Sequence, residues 1–282
     1  MCSAGAPRLA VEFQKLVLSH GTRTPNVSRK SRDPPATLRC ETVMSVEQAK
    51  PAAAPTARQT KSLLLALMVL TFNTGLIDAV SYIGLGRVFV ANMTGNVVLL
   101  AFAAAGVSGL SVTRALSSLG GFLVGATIGG KLGTSLAASS RPRLILSAGI
   151  VEALLIFAAA VSAIGFDMRS SAPAHQLYAM IVLTALSMGL RNATVRQLRV
   201  ADITTTVLTL TLTGLAADSS VAGGSNPRPA RRIFSIIALF VGAVSGAYLL
   251  RYGVALPLFV TGACVLLTTA AYAAIAATTA KN

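Results

Sequence analysis

Beyond Lys61 the chain carries only five acidic residues: Asp78, Glu152, Asp167, Asp202 and Asp218. Asp78 and Glu152 fall inside long apolar runs. A carboxylate there costs about 2.5–3.5 kcal/mol at mid-helix on insertion scales, so each needs a reason. Amides and hydroxyls accompany two of the five. Asn92, Thr94 and Asn96 follow Asp78, while Asn192 precedes Asp202 and Thr204 and Thr206 follow it. Gathered in one place, such side chains bind a small polar solute or a cation through oxygen atoms. A central polar cavity would take Asp78, Asn92, Thr94 and Asn96 from one half of the chain, and Asn192, Asp202, Thr204 and Thr206 from the other. The alternative is structural: Asn and Thr join helices by hydrogen bonds worth about 0.6 kcal/mol each, and Asp78 can reach the interface. Both readings stand at this point.

Glu152 has no acidic counterpart in the second half, where the aligned region holds Cys264 and Val265. That asymmetry suits a carboxylate that couples a proton to transport. It equally suits one paired with an arginine, Arg191 for example, to hold helices together. Gly121, Gly125 and Gly129, with Gly242 and Gly246 later, form small-xxx-small stripes that let helix backbones approach closely; packing is the better account, a gating role the other.

Catalytic constellations are missing. The sequence has no His-rich metal motif, no Walker loop and no nucleophile elbow. His20 and His175 are isolated, and Cys2, Cys40 and Cys264 have neither ligand nor disulfide spacing. The expectation is a protein that is not an enzyme and takes no metal and no cofactor.

The elements that must position these residues follow from composition. Of 282 residues, 54% are hydrophobic and 12% charged, with a mean hydropathy of +0.70. A soluble domain is about a quarter charged, so the bulk of the chain belongs in lipid. The net charge of +15 does not mark a nucleic-acid binder. Ten of the 24 Lys and Arg lie before residue 62, and the rest are scattered between apolar runs, as topology-setting charges are.

Residues 1–61 read as a basic, proline-containing tail with the composition of a disordered segment. Met44 offers a second start, which would make residues 1–43 an extension of the gene model. Apolar segments follow at Ser62–Ile83, Val88–Val107, Ala115–Ala137, Leu144–Gly165, Gln176–Val195, Ile203–Ala217, Arg232–Leu250 and Val254–Ala277. The second opens on the polar run from Asn92 to Asn96, and the sixth is short and rich in threonine.

The two halves match in order. Gly75-Leu76-Ile77-Asp78-Ala79 aligns with Gly189-Leu190-Arg191-Asn192-Ala193. Ala91-Asn92-Met93-Thr94 aligns with Ala201-Asp202-Ile203-Thr204, and Val124-Gly125-Ala126 with Val241-Gly242-Ala243. This implies a duplication, with repeats at about 62–165 and 176–277 inside a membrane domain of residues 62–277, and a short tail at 278–282. If all eight segments crossed from a cytoplasmic N-terminus, Lys131, Arg141, Arg143, Arg191, Arg196 and Arg199 would face outside, against the positive-inside rule. If the second and sixth dip in and return, the same charges fall inside. The predicted fold is therefore an all-α integral membrane protein with six full transmembrane helices and two short, polar, broken or re-entrant segments, eight spans being the alternative. The internal two-fold repeat is then inverted, as in many secondary transporters.

The stretch Thr74-Gly75-Leu76-Ile77-Asp78-Ala79-Val80-Ser81-Tyr82, with Gly84 to Asn96 after it, resembles the YoaK family of bacterial multi-pass membrane proteins, which carry a domain of unknown function. The resemblance runs from about Ser62 to Ala277. It implies a bacterial membrane location and leaves activity unassigned. The expected function is a permease of the inner membrane for a small solute, its N-terminus cytoplasmic. The rival readings are a non-transporting scaffold and, behind it, an intramembrane enzyme acting on lipid. Expected partners are the bilayer and a small solute but no nucleic acid; a homo-oligomer stays open.

Overall fold

In a computed structural model of the chain, residues 57–136, 141–198, 208–225 and 228–279 are described. The tail before Ala57, the question of Met44, and Asp202, Thr204 and Thr206 of the sixth segment lie outside them. The described residues form eight α-helices: α1 Ala57–Gly84, α2 Met93–Ala104, α3 Val112–Ser135, α4 Arg141–Ser162, α5 Ala174–Leu198, α6 Leu208–Ala217, α7 Pro229–Leu249 and α8 Ala255–Thr279.

Six of these, all but α2 and α6, are long and apolar enough to cross a membrane. At 1.5 Å per residue the 24 residues of α3 span about 36 Å, enough for a hydrocarbon core of about 30 Å. The 12 residues of α2 reach about 18 Å and the 10 described residues of α6 about 15 Å, both short of that thickness. The second apolar segment is shorter as a helix than its hydropathy suggests, because left-handed backbone at Gly86 and Arg87 ends the run of α1. Val88 to Asn92 is non-helical, and the Asn92 side chain caps α2 by accepting from the Gly95 N–H at 3.1 Å.

Helices of one half pack on helices of the other. α1 lies along α7 and α3 along α5, while α4 packs on α8 and α5, and α1 also on α8. Close approach decides the first two pairs. A Cβ on Gly75 would fall on the Leu239 carbonyl, and one on Gly242 on the Phe72 carbonyl. Across the other pair, a Cβ on Gly189 would fall on the Phe122 carbonyl and one on Gly125 on the Leu186 carbonyl. Gly246 against Leu76 is likewise repeated by Gly129 against Leu190. These contacts follow the register of the sequence matches, and they make α1 parallel to α7 and α3 parallel to α5. The outer faces carry Leu65, Leu123, Leu154, Phe240 and Leu267, all exposed, while Leu67, Leu76, Ile77, Ile156, Met188 and Leu258 are buried. An apolar exterior over a mixed interior is what lipid as solvent requires.

Gly125→Ala and Gly242→Ala are each expected to destabilise the protein by about 1–3 kcal/mol through overpacking. Gly120→Ala and Gly130→Ala, where nothing lies near the new methyl, should be neutral or gain up to about 1 kcal/mol of helix propensity. Thermal unfolding of the four variants in one detergent checks this. Equal losses at all four sites would show that close approach is not the cause.

Candidate functional site

The polar residues around Asp78 serve the non-helical segment before α2. Asp78 Oδ1 accepts from the backbone N–H of Val90 at 3.3 Å and of Ala91 at 3.0 Å. Asn96, fully buried, accepts from the Phe89 N–H at 2.9 Å and donates to the Phe89 carbonyl and, at 3.0 Å, to Ser118 Oγ. Ser118 donates to the same carbonyl at 2.6 Å. Backbone that leaves a helix inside a membrane must be hydrogen-bonded by something else, and here these three side chains do it. Thr94 is exposed on the first turn of α2. Asp78, Asn92 and Asn96 are thus brought together around one segment, each engaged with backbone. From the second half, half-buried Asn192 donates to the Met188 carbonyl of its own helix at 2.8 Å.

A second polar centre lies between α1, α4 and α5. Arg191, 2% exposed, forms an ion pair with Glu152, 3% exposed. Its Nε donates to Glu152 Oε1 at 2.6 Å, and Nη2 faces the same oxygen. On its other side Nη1 donates to the Leu70 carbonyl at 3.1 Å and to Thr74 Oγ1 at 3.2 Å. The Thr74 hydroxyl in turn donates to the Leu70 carbonyl. One guanidinium therefore ties three helices together, its two edges facing different partners.

Beside this pair is a cavity of about 30 Å³, room for a water or two, since one needs roughly 10–15 Å³. Its walls are the first turns of α1 and α4 (Leu63, Leu67, Ile145, Gly149) and the last turns of α5 (Thr194, Leu198), with Thr269 of α8 across from them. Glu152 and Arg191 also line it.

The matching positions at the other end of the bundle are closed. In the register that sets Gly75 against Gly189, Leu67 and Leu70 fall opposite Ile181 and Thr184 and Arg191 opposite Ile77, while the stretch of α8 set against Glu152 holds Cys264 and Val265. Ile181, Thr184, Leu258, Val265 and Ile77 are all completely buried. Where Gly149 faces the Thr269 side chain, Gly262 faces the ring of Phe157, which lies 6.2 Å from that of Phe259.

Sequence reasoning did not single out Thr74, Ser118, Thr194 or Thr269, whose hydroxyls resemble dozens of others in apolar sequence. Ser118 did leave a trace: α3 and α7 match in register, and Ser235 stands at its place in α7, also buried. Arg232, nearly buried, was missed too; it pairs with Asp218 at 2.8 Å and donates to the Gly214 carbonyl, joining α6 to α7.

Asn96→Ala should cost about 1–3 kcal/mol, because it strands the Phe89 N–H and leaves Ser118 alone on the Phe89 carbonyl. Asp78→Asn keeps an acceptor at Oδ1 and should cost less. Arg191→Ile alone should cost about 3–5 kcal/mol by leaving Glu152 buried without its cation, whereas Arg191→Ile with Glu152→Val should be neutral or stabilising. Denaturation in detergent measures all four. A double variant as unstable as the single one would make the ion pair a necessity of the fold.

A family model described as "Protein of unknown function (DUF1275)" matches residues 66–271. The UPF0700 transmembrane protein YoaK of Bacillus subtilis (strain 168) is 35% identical over 165 residues, covering 58% of this chain and 70% of that protein. No solved structure matches the chain. With six apolar helices of spanning length and a transmembrane relative, this is a multi-pass membrane protein, and it belongs to the DUF1275 family of proteins of unknown function.

Proposed function

We propose that the protein is a permease, carrying a small solute across the bacterial inner membrane by alternating access, and that it acts neither as an enzyme nor as a scaffold. The cavity carries the reading: it lies at one end of the bundle, borders a buried ion pair, and has a packed counterpart at the other end. Two halves of opposite orientation can exchange such states, the open end closing as the closed one opens. Support comes from the contacts that recur in register between α1 with α7 and α5 with α3. The Phe157 and Phe259 rings are then the closure of the far end.

Sidedness follows from charge. Lys61, Lys131, Arg143, Arg196, Arg228 and Arg231 sit on the helix ends at which α1 and α4 begin and α3 and α5 end, while Arg87, Arg114, Arg169 and Arg251 occupy the opposite ends. By the positive-inside rule the first group is cytoplasmic. The cavity then faces the cytoplasm, alongside a cytoplasmic N-terminus.

Single cysteines test this without knowledge of the solute. In a chain freed of Cys2, Cys40 and Cys264, Leu67→Cys should react with a membrane-impermeant maleimide from the cytoplasmic face and Ile181→Cys from the opposite face, both in folded protein. If Ile181→Cys stays unreactive for as long as the protein stays folded, the closed end is a permanent plug and the scaffold reading takes over.

A further inference from the structure

Resting on the permease reading, we propose that Arg191 binds a planar monovalent oxyanion, of the carboxylate or nitrate type, and that Glu152 carries the proton which crosses with it. The two edges of the guanidinium carry the first part. Nη1 is committed to α1, held by the Leu70 carbonyl at 3.1 Å and Thr74 Oγ1 at 3.2 Å. Nε and Nη2 form the edge that faces Glu152. That fork matches two oxygens of a planar anion, and Glu152 already occupies it with a group of this type. An incoming anion in the adjoining cavity competes for the same edge.

Charge balance carries the second part. An arginine stays protonated in proteins, so the pair can change its charge only at Glu152. A cation entering the cavity would draw Glu152 away and strand Arg191 beside another positive charge. An anion instead takes over Arg191 and leaves Glu152 as an unpaired buried carboxylate, a state that burial penalises. Protonation relieves it: one proton from the side of entry adds to Glu152, the Glu152–Arg191 contact breaks, and the anion–Arg191 contact forms. The loaded site then has the same net charge as the empty one, and release of the anion and the proton on the far side restores the pair.

Among the described residues no other ionisable group lines the cavity. Facing the pair, α1 presents Thr74 and the Leu70 carbonyl, and α8 presents Thr269. The nearest further carboxylate on α1, Asp78, is engaged with the Val90 and Ala91 N–H groups. At the other end of the bundle the interior is apolar where this end holds charges, with Ile77 and Val265 packed without exposure.

The test is flux into vesicles of phosphatidylethanolamine and phosphatidylglycerol holding the full chain and a pH-sensitive dye. Potassium nitrate or potassium pyruvate added outside should acidify the lumen faster than in protein-free vesicles, and potassium chloride, a spherical ion, should do so much less. Glu152→Gln should lose the acidification while still admitting nitrate, now as net charge that a potential-sensitive dye detects. Arg191→Ile with Glu152→Val should melt within a few degrees of the parent and lose both signals. The proposal is overturned if nitrate enters the parent vesicles without protons, if Glu152→Gln acidifies like the parent, or if neither nitrate nor pyruvate moves a proton. In that last case reactive cysteines at both 67 and 181 would leave the permease reading intact; an unreactive 181 would remove both.

Discussion

Lipid tails are as apolar as leucine, so two helices in a bilayer gain nothing from simple burial and must find van der Waals contact close enough to outcompete lipid. In this protein that contact is backbone against backbone. At Gly75 and Gly242 between α1 and α7, and at Gly125 and Gly189 between α3 and α5, no side chain fits between the helices. Both pairs join one half of the chain to the other, so neither half keeps its packing if they separate. α4 and α8 complete the bundle against each other and against α5 and α1. The cavity beside Glu152 is a consequence of this arrangement. It lies where the residues between α4 and α8, Gly149 and Thr269, are small.

The same solvent explains why the polar run ahead of α2 is so dense. A chain that stops being helical at depth exposes N–H and C=O groups, each costing several kcal/mol if unmet. Asp78 takes two of the N–H groups, and Asn96 with Ser118 satisfies Phe89. Residues chosen for that duty look, in a sequence, like a binding site, since both need carboxylates and amides clustered in an apolar setting.

What could be read from the sequence divides along this line. The six crossing helices were legible because length and hydropathy are properties of contiguous segments, and the short second and sixth elements because polar residues interrupt theirs. Glu152 and Arg191 were legible as costly ions, though not their geometry, since Leu70 and Thr74 reach Arg191 from more than a hundred residues away. Asp78, Asn92 and Asn96 each accept from a backbone N–H, and partners of that kind leave no mark in the residue types. The cavity had no signature at all, because a void of about 30 Å³ depends on how side chains from four helices meet rather than on any motif.

The two ends of the bundle offer a comparison within one molecule. One end of the bundle holds Glu152 on α4 with Arg191 on α5, and the other buries Val265 on α8 and Ile77 on α1. The apolar version is fully buried and asks nothing of its surroundings. The ionic version needs two desolvated charges, two fixed hydrogen bonds on α1 and a cavity beside them, and buried ion pairs rarely repay that cost in stability. If the pair existed only to hold helices, the chain already contains a cheaper solution to the same problem. That the chain uses the cheap solution once and the costly one once is the argument for the proposal that Glu152 and Arg191 serve something that enters the cavity beside them.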